Sequence, residues 1–494
     1  MDKKDWFKYR GYPHITNKIP FHLKLSIEKY VSNPENIAKH SFSPLIFKQL
    51  KQRRYKLSNH NGYMIRSHKN EKNDEMVSNT KVRDIHYPSH IDAHIYAYYA
   101  KEIISPKYEA YLSQNMELSN AVTAYRCIKK ENGLGNKNNI HFAKEVFDEI
   151  RKREKCVVLA FDVKNFFPSL NHRMLKLIWA KIIGCKSLPK DHYNIFKAST
   201  KFSYIKLDDL RKSNRQFDEK RLAELRKQNK DCFFYDINEL LDSDIIIYKN
   251  QRKHNGNLVG IPHGLPISAL LANIYMLPFD EAIINQFKDA YYRRYSDDMI
   301  IICEENQVQT VKDFVFKQVE EIKLNISEEK TEETHFKIED GKLQSYRMEN
   351  NKLTKNIPLN YLGFEFYGYQ TLIKSKNLAS FYRKMKDAVK RKHRRAEKIK
   401  EKHLLDEAPI FKTKIYRLFS FKGAKKRKIP SKRSEYQNGK LTTKSFMKKY
   451  RGNYLHYAYK AADEMNAPEI KRQVRNHWKI LQKTISKYDF SNSE

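Results

Sequence analysis

Cysteine is sparse in this chain, and the few thiols form no pattern. Cys127, Cys156, Cys185, Cys232 and Cys303 are scattered singly, so neither a CxxC zinc pair nor the dense framework of a disulfide-stapled fold is present. Several stand inside apolar strings, KCVVLAF and MIIICEE, which predicts buried free thiols. Long apolar runs are also missing. The longest, such as MIIIC at 299–303, fall far short of the roughly 20 residues that cross a bilayer. The opening MDKKDWFKYRG has no apolar segment of the secretory type, so a cytoplasmic protein with no membrane partner is expected. No repeat that would signal a solenoid is visible. Acidic residues are in deficit, with 58 Asp and Glu against 96 Lys and Arg, a surplus of 38 positive charges. An ordinary soluble domain sits within about eight charges of neutrality, and such an excess repels itself unless a polyanion shares the surface. Nucleic acid is the expected partner.

What is present is organised. A chain of 494 residues, 40% hydrophobic, can form two to four compact units. The first 80 residues mix aromatic and basic side chains, and the polar stretch at 67–80 reads as an exposed loop. From 81 to 150 the pattern is helical, with Ile91, Ile95, Tyr98 and Tyr99 on one face of the 91–104 segment. KCVVLAFD then has the length and β-branched content of a buried strand, and it ends on Asp162. The charged segment 201–250 reads as a solvated helical excursion. LVGIPHGLPISALLANIYMLPFDEAI at 258–283 reads as strand end, Gly/Pro loop and apolar helix. AYYRRYSDDMIIIC at 290–303 has two β-rich arms around Ser296, Asp297 and Asp298, the pattern of a hairpin. A second hairpin is expected at 359–373. Beyond it lies a basic helix over 379–400, whose stripe is Phe381, Met385, Val389 and Ala396.

Three carboxylates stand out. Nucleotidyl transfer uses two divalent ions about 4 Å apart, one at the attacking hydroxyl and one at the leaving pyrophosphate. Magnesium prefers hard carboxylate oxygens. A strand ending in Asp162 beside a hairpin turned at Asp297 and Asp298 would supply such oxygens from rigid elements. An Asp-Asp pair alone is weak, because exposed turns often carry one. Here it follows a D-V-x-x-F-F strand and a G-I-P-x-G-L-P-x-S loop, in that order.

These strings resemble the palm of reverse transcriptases. FDVKNFFPSL resembles motif A, GIPHGLPISALLANIY motif B and RRYSDDMIIIC motif C; ISEEKTEETHF and LNYLGFEF resemble motifs D and E, and KVRDIHYPSHIDAHIY the fingers motif. The resemblance implies an α+β right-hand polymerase: an N-terminal extension at 1–80, fingers at 81–155, a palm at 156–373 with the charged insertion near 201–250, and a helical thumb and basic C-terminal region at 374–494. It implies RNA-directed DNA polymerase activity with two Mg²⁺ ions, or Mn²⁺ in their place, held by Asp162, Asp297 and Asp298. Arg83 would grip the incoming dNTP as a guanidinium fork, and Lys330 would protonate the departing pyrophosphate. Phe167, five residues after Asp162, fills the place where viral RNA polymerases carry a second aspartate for the ribose, which favours deoxynucleotides. His263, before Gly264, stands where the family usually has glutamine. Nucleotide contact and a purely structural loop role are both open for it.

The chain lacks the Cys-rich endonuclease pattern of group II intron enzymes and the NAxxH and VTG strings of retron enzymes. By elimination, and by its AYR at 124–126 and its GLPIS wording, it resembles the bacterial defence-associated reverse transcriptases related to abortive-infection proteins. That resemblance implies antiviral defence, a noncoding RNA as template or scaffold, a DNA product and homo-oligomerisation. The thumb side offers Lys422, Lys425, Lys426, Arg427 and Lys428 as a cationic loop. It also carries Tyr450, Tyr454, Tyr457 and Tyr459 among Lys449, Arg451 and Lys460. The primer hydroxyl is left open between RNA, DNA and a protein side chain such as Tyr488. The alternatives are a catalytically weak RNA-binding palm protein, an intron- or retron-type enzyme, and an RNA polymerase.

Overall fold

The computed structural model describes residues 6–53, 56–60, 63–67, 69–72, 75–78, 80–210, 219–349, 352–405, 412–425, 427–437, 440–450 and 452–488. Its centre is a six-stranded antiparallel sheet in the order Tyr291–Tyr295, Asp298–Cys303, Cys156–Asp162, Glu332–Glu339, Lys342–Glu349 and Lys352–Lys355. Two adjacent inner strands, CVVLAFD and DMIIIC, are apolar on both faces, and both faces are covered. Val157, Leu159, Phe161, Met299, Ile301 and Cys303 enter one core. Cys156, Val158, Ile300 and Ile302 enter the other. This is the period-two alternation of a strand buried on both sides.

Helices close each face. On the first, His172–Ile183, Ser268–Tyr275, Leu277–Gln286 and Val308–Glu321 supply Leu175, Trp179, Leu271, Phe279, Val311 and Val315. On the second, Asn139–Arg153 lays Ile140, Ala143, Val146, Phe147 and Ile150 at helical spacing against the sheet. Phe147 stacks on Phe366 with centroids 4.5 Å apart. Each such side chain contributes about 1.5–3 kcal/mol on burial, which fixes the sheet rigidly under its strand ends. The fold class is therefore α+β, as expected.

A smaller sheet flanks the first, in the order Thr80–Tyr87, Leu45–Arg53, Ser203–Lys206 and Tyr248–Lys249. Leu45–Arg53 runs antiparallel to Thr80–Tyr87 and parallel to Ser203–Lys206, so the N-terminal residues and the charged segment meet in one sheet. The segment 201–250 departs from a solvated helical excursion. It contributes strands, and it buries Leu207, Leu210, Leu222, Phe233, Phe234 and Leu240 with Ile15 and Ile46. The helices Glu219–Lys227 and Ile237–Leu241 lie within it, but its buried residues follow no single helical period along the segment, and only their convergence reveals a core.

Three further expectations change. Within 67–80, Lys69–Lys72 pairs antiparallel with Glu75–Ser78 where a loop was expected. The region 359–373 is a three-stranded meander, Leu359–Tyr361, Phe364–Phe366 and Thr371–Ile373, and not a simple hairpin. Arg427 and Lys428 open a long strand, Arg427–Gln437, paired with Lys440–Tyr450, while Lys422 lies in the short turn Phe421–Gly423, so the expected cationic loop ends in a hairpin. An Asn438-Gly439 dipeptide between those strands is the sequence signal that would have found it. Lys426 and Arg451 lie outside the described residues. The basic helix spans Ser375–His403, and its stripe of Phe381, Met385, Val389 and Ala396 is buried as expected. Tyr488 is no free tail: its ring lies 5.3 Å from that of His393 on the same helix. Among the described residues no helix is long and apolar enough to cross a membrane.

Candidate active site

The register of the central sheet brings the three aspartates to one end. Asp298 is the direct cross-strand partner of Asp162, and cross-strand Cα atoms of an antiparallel pair lie about 4.5–5.5 Å apart. Asp297 precedes it in a two-residue turn closed by the Tyr295 and Asp298 pair. The turn is strained. Ser296 has φ 64°, in the left-handed region that non-glycine residues enter at a cost.

A buried network holds that turn. Arg294 is fully buried beside Asp280, with Nε donating to Oδ1 at 2.7 Å and Nη2 to Oδ2 at 2.6 Å. Its Nη1 donates to Asn273 Oδ1 at 3.1 Å and to the carbonyl of Ser296 at 3.2 Å. The Tyr292 hydroxyl donates to Asp280 Oδ1 at 2.7 Å. Thr123 donates through both its backbone N–H and its hydroxyl to the Arg294 carbonyl, and the Ser296 hydroxyl donates to that of Tyr125. Sequence reasoning missed Asp280, Arg294 and Asn273. Their signal was an ionisable residue at an inward position of an apolar element, in NIYMLPFDEAI and YYRRY.

Charge is concentrated here. Asp298 reaches solvent yet stands amid dense protein, and that crowding, with Asp297 and Asp162, raises its carboxyl to about 7. Asp297 is raised as well, by burial and then by Asp162. Uncompensated negative charge of this kind is what a divalent cation relieves. One counter-charge is in place: the Lys330 ammonium bonds the Asp162 carboxylate. Lys330 is delivered by a strap, because the Ser327 amide donates to the Asp162 carbonyl and the Lys164 amide to the Asn325 carbonyl, both at 2.8 Å. Among the described residues no three His, Cys, Asp or Glu converge as a finished metal cage. The hard carboxylate oxygens and concentrated negative charge of Asp162, Asp297 and Asp298 suit a divalent cation, and Lys330 bonds the Asp162 carboxylate.

The remaining predicted residues line the adjoining loop. Phe166 is buried in the core while Phe167 is half-buried, and the Phe167 ring lies 4.2 Å from that of His263. The two segments are tied by the Ile261 amide donating to the Phe167 carbonyl at 3.0 Å. Burial, and then the neighbouring Arg83, hold the His263 ring below the usual histidine pKa. Arg83 itself is exposed on the Thr80–Tyr87 strand. Gly264 has φ 116°, and a Cβ there would stand 2.2 Å from the His86 carbonyl. The His86 amide meanwhile donates to the His263 carbonyl at 2.7 Å. Gly264 is thus required where the loop abuts the small sheet.

Comparison with known proteins gives three findings. Residues 214–366 match the sequence model of the family described as reverse transcriptase (RNA-dependent DNA polymerase). That is less than a third of the chain; it includes the His263 loop and the Asp297-Asp298 hairpin and begins after Asp162. No curated protein matches. Among solved structures, apo telomerase from Candida tropicalis, truncated from its C-terminal domain, aligns with a TM-score of 0.37 and 13% identity, over 59% of this chain and 52% of that one. Telomerase from Candida albicans in complex with a fragment of telomeric RNA aligns at 0.36 and 13%, over 74% and 54%. The chain spans about half the length of those structures, and at such TM-scores the likenesses are too loose to carry an argument.

Proposed function

We propose that this chain is an RNA-templated DNA polymerase, a reverse transcriptase of two-metal mechanism. The observation that carries the reading is the cross-strand meeting of Asp162 with Asp298, Asp297 alongside, at the end of a rigid sheet. The match of residues 214–366 supports it. Two Mg²⁺ ions on these carboxylates would activate the primer hydroxyl and neutralise the pyrophosphate. The chain's own residues do the rest. The hairpin braced by Arg294 and Asp280 fixes the carboxylates, Arg83 takes the triphosphate, and Phe167, backed by His263, fills the space a 2′-hydroxyl would need. Lys330, which bonds Asp162, would stand as the proton donor to the leaving pyrophosphate.

On this reading residues 81–155 serve as fingers, 156–373 as palm and 374–494 as thumb with a basic surface for RNA. The 38-charge surplus and the exposed Lys422, Lys425, Arg427 and Lys428 suit a structured noncoding RNA serving as template or scaffold. We further place the protein in bacterial antiviral defence, in the cytoplasm, with homo-oligomerisation. The absence of intron-type and retron-type strings supports that subfamily.

The test is incorporation of labelled dNTPs with Mg²⁺ on the RNA that copurifies, comparing wild type with Asp297→Asn. Incorporation lost in the variant is expected. A preference for NTPs would make the chain an RNA polymerase. A second reading, an RNA-binding palm without chemistry, is favoured by the bond of Lys330 to Asp162. A wild type that stays inactive on its own RNA would establish it.

A further inference from the structure

The small sheet has two unlike faces. Ile46 and Ile205 turn to one side and are sealed in a core. Phe47, His86 and Tyr204 turn to the other. Phe47 and His86 are direct cross-strand partners, and with Phe202 these rings form a continuous aromatic wall. Centroids are 5.1 Å apart for Phe47 and His86, 5.3 Å for Phe47 and Tyr204, and 5.0 Å for His86 and Phe202.

The wall does not pack closely against what faces it. Between it and the segments Lys249–Arg252 and Gly260–His263 lies a cavity of about 270 Å³, bounded also by Asp84 and Pro168. That is just under the ~300 Å³ at which pockets for drug-sized ligands begin. His86 is 8% exposed, and its ring Nδ1 is buried with no hydrogen-bond partner among the described residues. A buried polar nitrogen left unpaired costs stability unless something else satisfies it. At the rim, Lys249 and Arg252 are exposed and have no acidic partner among the described residues. Phe167 lies beyond His263, so the cavity and the nucleotide position share one partition.

Resting on the polymerase reading above, we infer that this cavity receives one unstacked base of a single-stranded RNA, stacked on one ring of the aromatic wall, with His86 Nδ1 on its edge and its phosphate at Arg252 and Lys249. Aromatic rings are sequence-tolerant platforms for bases, and cations beside them hold the backbone. A pocket next to the catalytic partition would fix the strand's position relative to the aspartates.

The test is photo-crosslinking of the full-length protein to a short single-stranded RNA carrying 4-thiouridine throughout, with adducts mapped by mass spectrometry. Adducts on Phe47, His86 or Tyr204 are expected, and adducts confined to other surfaces overturn the inference. Binding of the same RNA by fluorescence polarisation gives a second readout. Tyr204→Leu and the surface variant Arg252→Glu are expected to weaken it roughly tenfold, and an abasic RNA should be insensitive to Tyr204→Leu. Unchanged binding in both variants overturns the inference, as does a free mononucleotide that abolishes the adducts at equimolar concentration. A dNTP incorporation assay run in parallel separates the two claims. Adducts in the cavity without incorporation sink the polymerase reading alone, and incorporation with adducts elsewhere sinks the cavity alone.

Discussion

Replacing Asp280 and Arg294 together should uncouple the stability of this protein from the placement of its aspartates, whereas removing either alone should cost stability. Asp280 and Arg294 are both 0% exposed and joined by two charge-assisted bonds. In Asp280→Leu the guanidinium keeps only Asn273 Oδ1 and the Ser296 carbonyl, and a buried charge is left uncompensated. Breaking such a pair from one side costs about 3–5 kcal/mol, a large part of the roughly 5–15 kcal/mol that holds a domain together. Arg294→Met should cost as much, since Asp280 would retain only the Tyr292 hydroxyl. Equilibrium urea denaturation measures both. The combined variant, Asp280→Leu with Arg294→Met, replaces the pair by apolar side chains and should recover most of the stability. It should not recover dNTP incorporation, because the Ser296 carbonyl has lost its donor and the turn at φ 64° is unsupported. Single variants that lose less than about 1 kcal/mol, the range of exposed pairs, would refute the claim of a desolvated brace. Full activity in the double variant would refute its positioning role.

The other predictions concern single side chains. Asp298→Asn should abolish incorporation yet raise the melting temperature in Mg²⁺-free buffer at high pH. A carboxyl raised to about 7 binds its proton more tightly folded than unfolded, so its contribution is fully present below about pH 4 and lost as pH rises through 7; the gain from the variant should shrink as pH falls from 7 toward 4. His86 behaves oppositely. Burial lowers it from 6.5 to about 4, so the unfolded chain binds more protons between those values. Stability should fall by about 3 kcal/mol as pH drops across that window, and His86→Gln should flatten the slope in a pH series of urea midpoints. Phe167→Ala should improve NTP use relative to dNTP use by roughly an order of magnitude in kcat/KM, and an unchanged ratio would remove Phe167 from sugar selection.

Much of the site was legible because its elements announce themselves. CVVLAFD and DMIIIC are β-branched runs long enough for one buried strand each, and the polar SDD between two such arms predicts a turn. Phe166 and Phe167 could be separated only by spacing in the sequence; the structure buries Phe166 in the core and leaves Phe167 half-buried beside His263. The small sheet was not legible. Its strands come from residues 45–53, 80–87, 203–206 and 248–249, and nothing local says that chain segments so far apart will pair. The same holds for Gly264, whose glycine requirement comes from the carbonyl of His86.

By itself the sequence determined the large positive charge, the α+β alternation and the order of the three aspartates, since composition and hydrophobic period are local properties. Tertiary structure decided that Asp298 stands opposite Asp162 and not one residue out of register, where every side chain would change face. It also decided that Arg294 and Asp280 brace the turn, that Lys330 reaches Asp162, and that an aromatic face is left with a cavity against it. Each depends on which distant segments pack together. That choice is made by burial summed over the whole molecule, and no single stretch of sequence contains it.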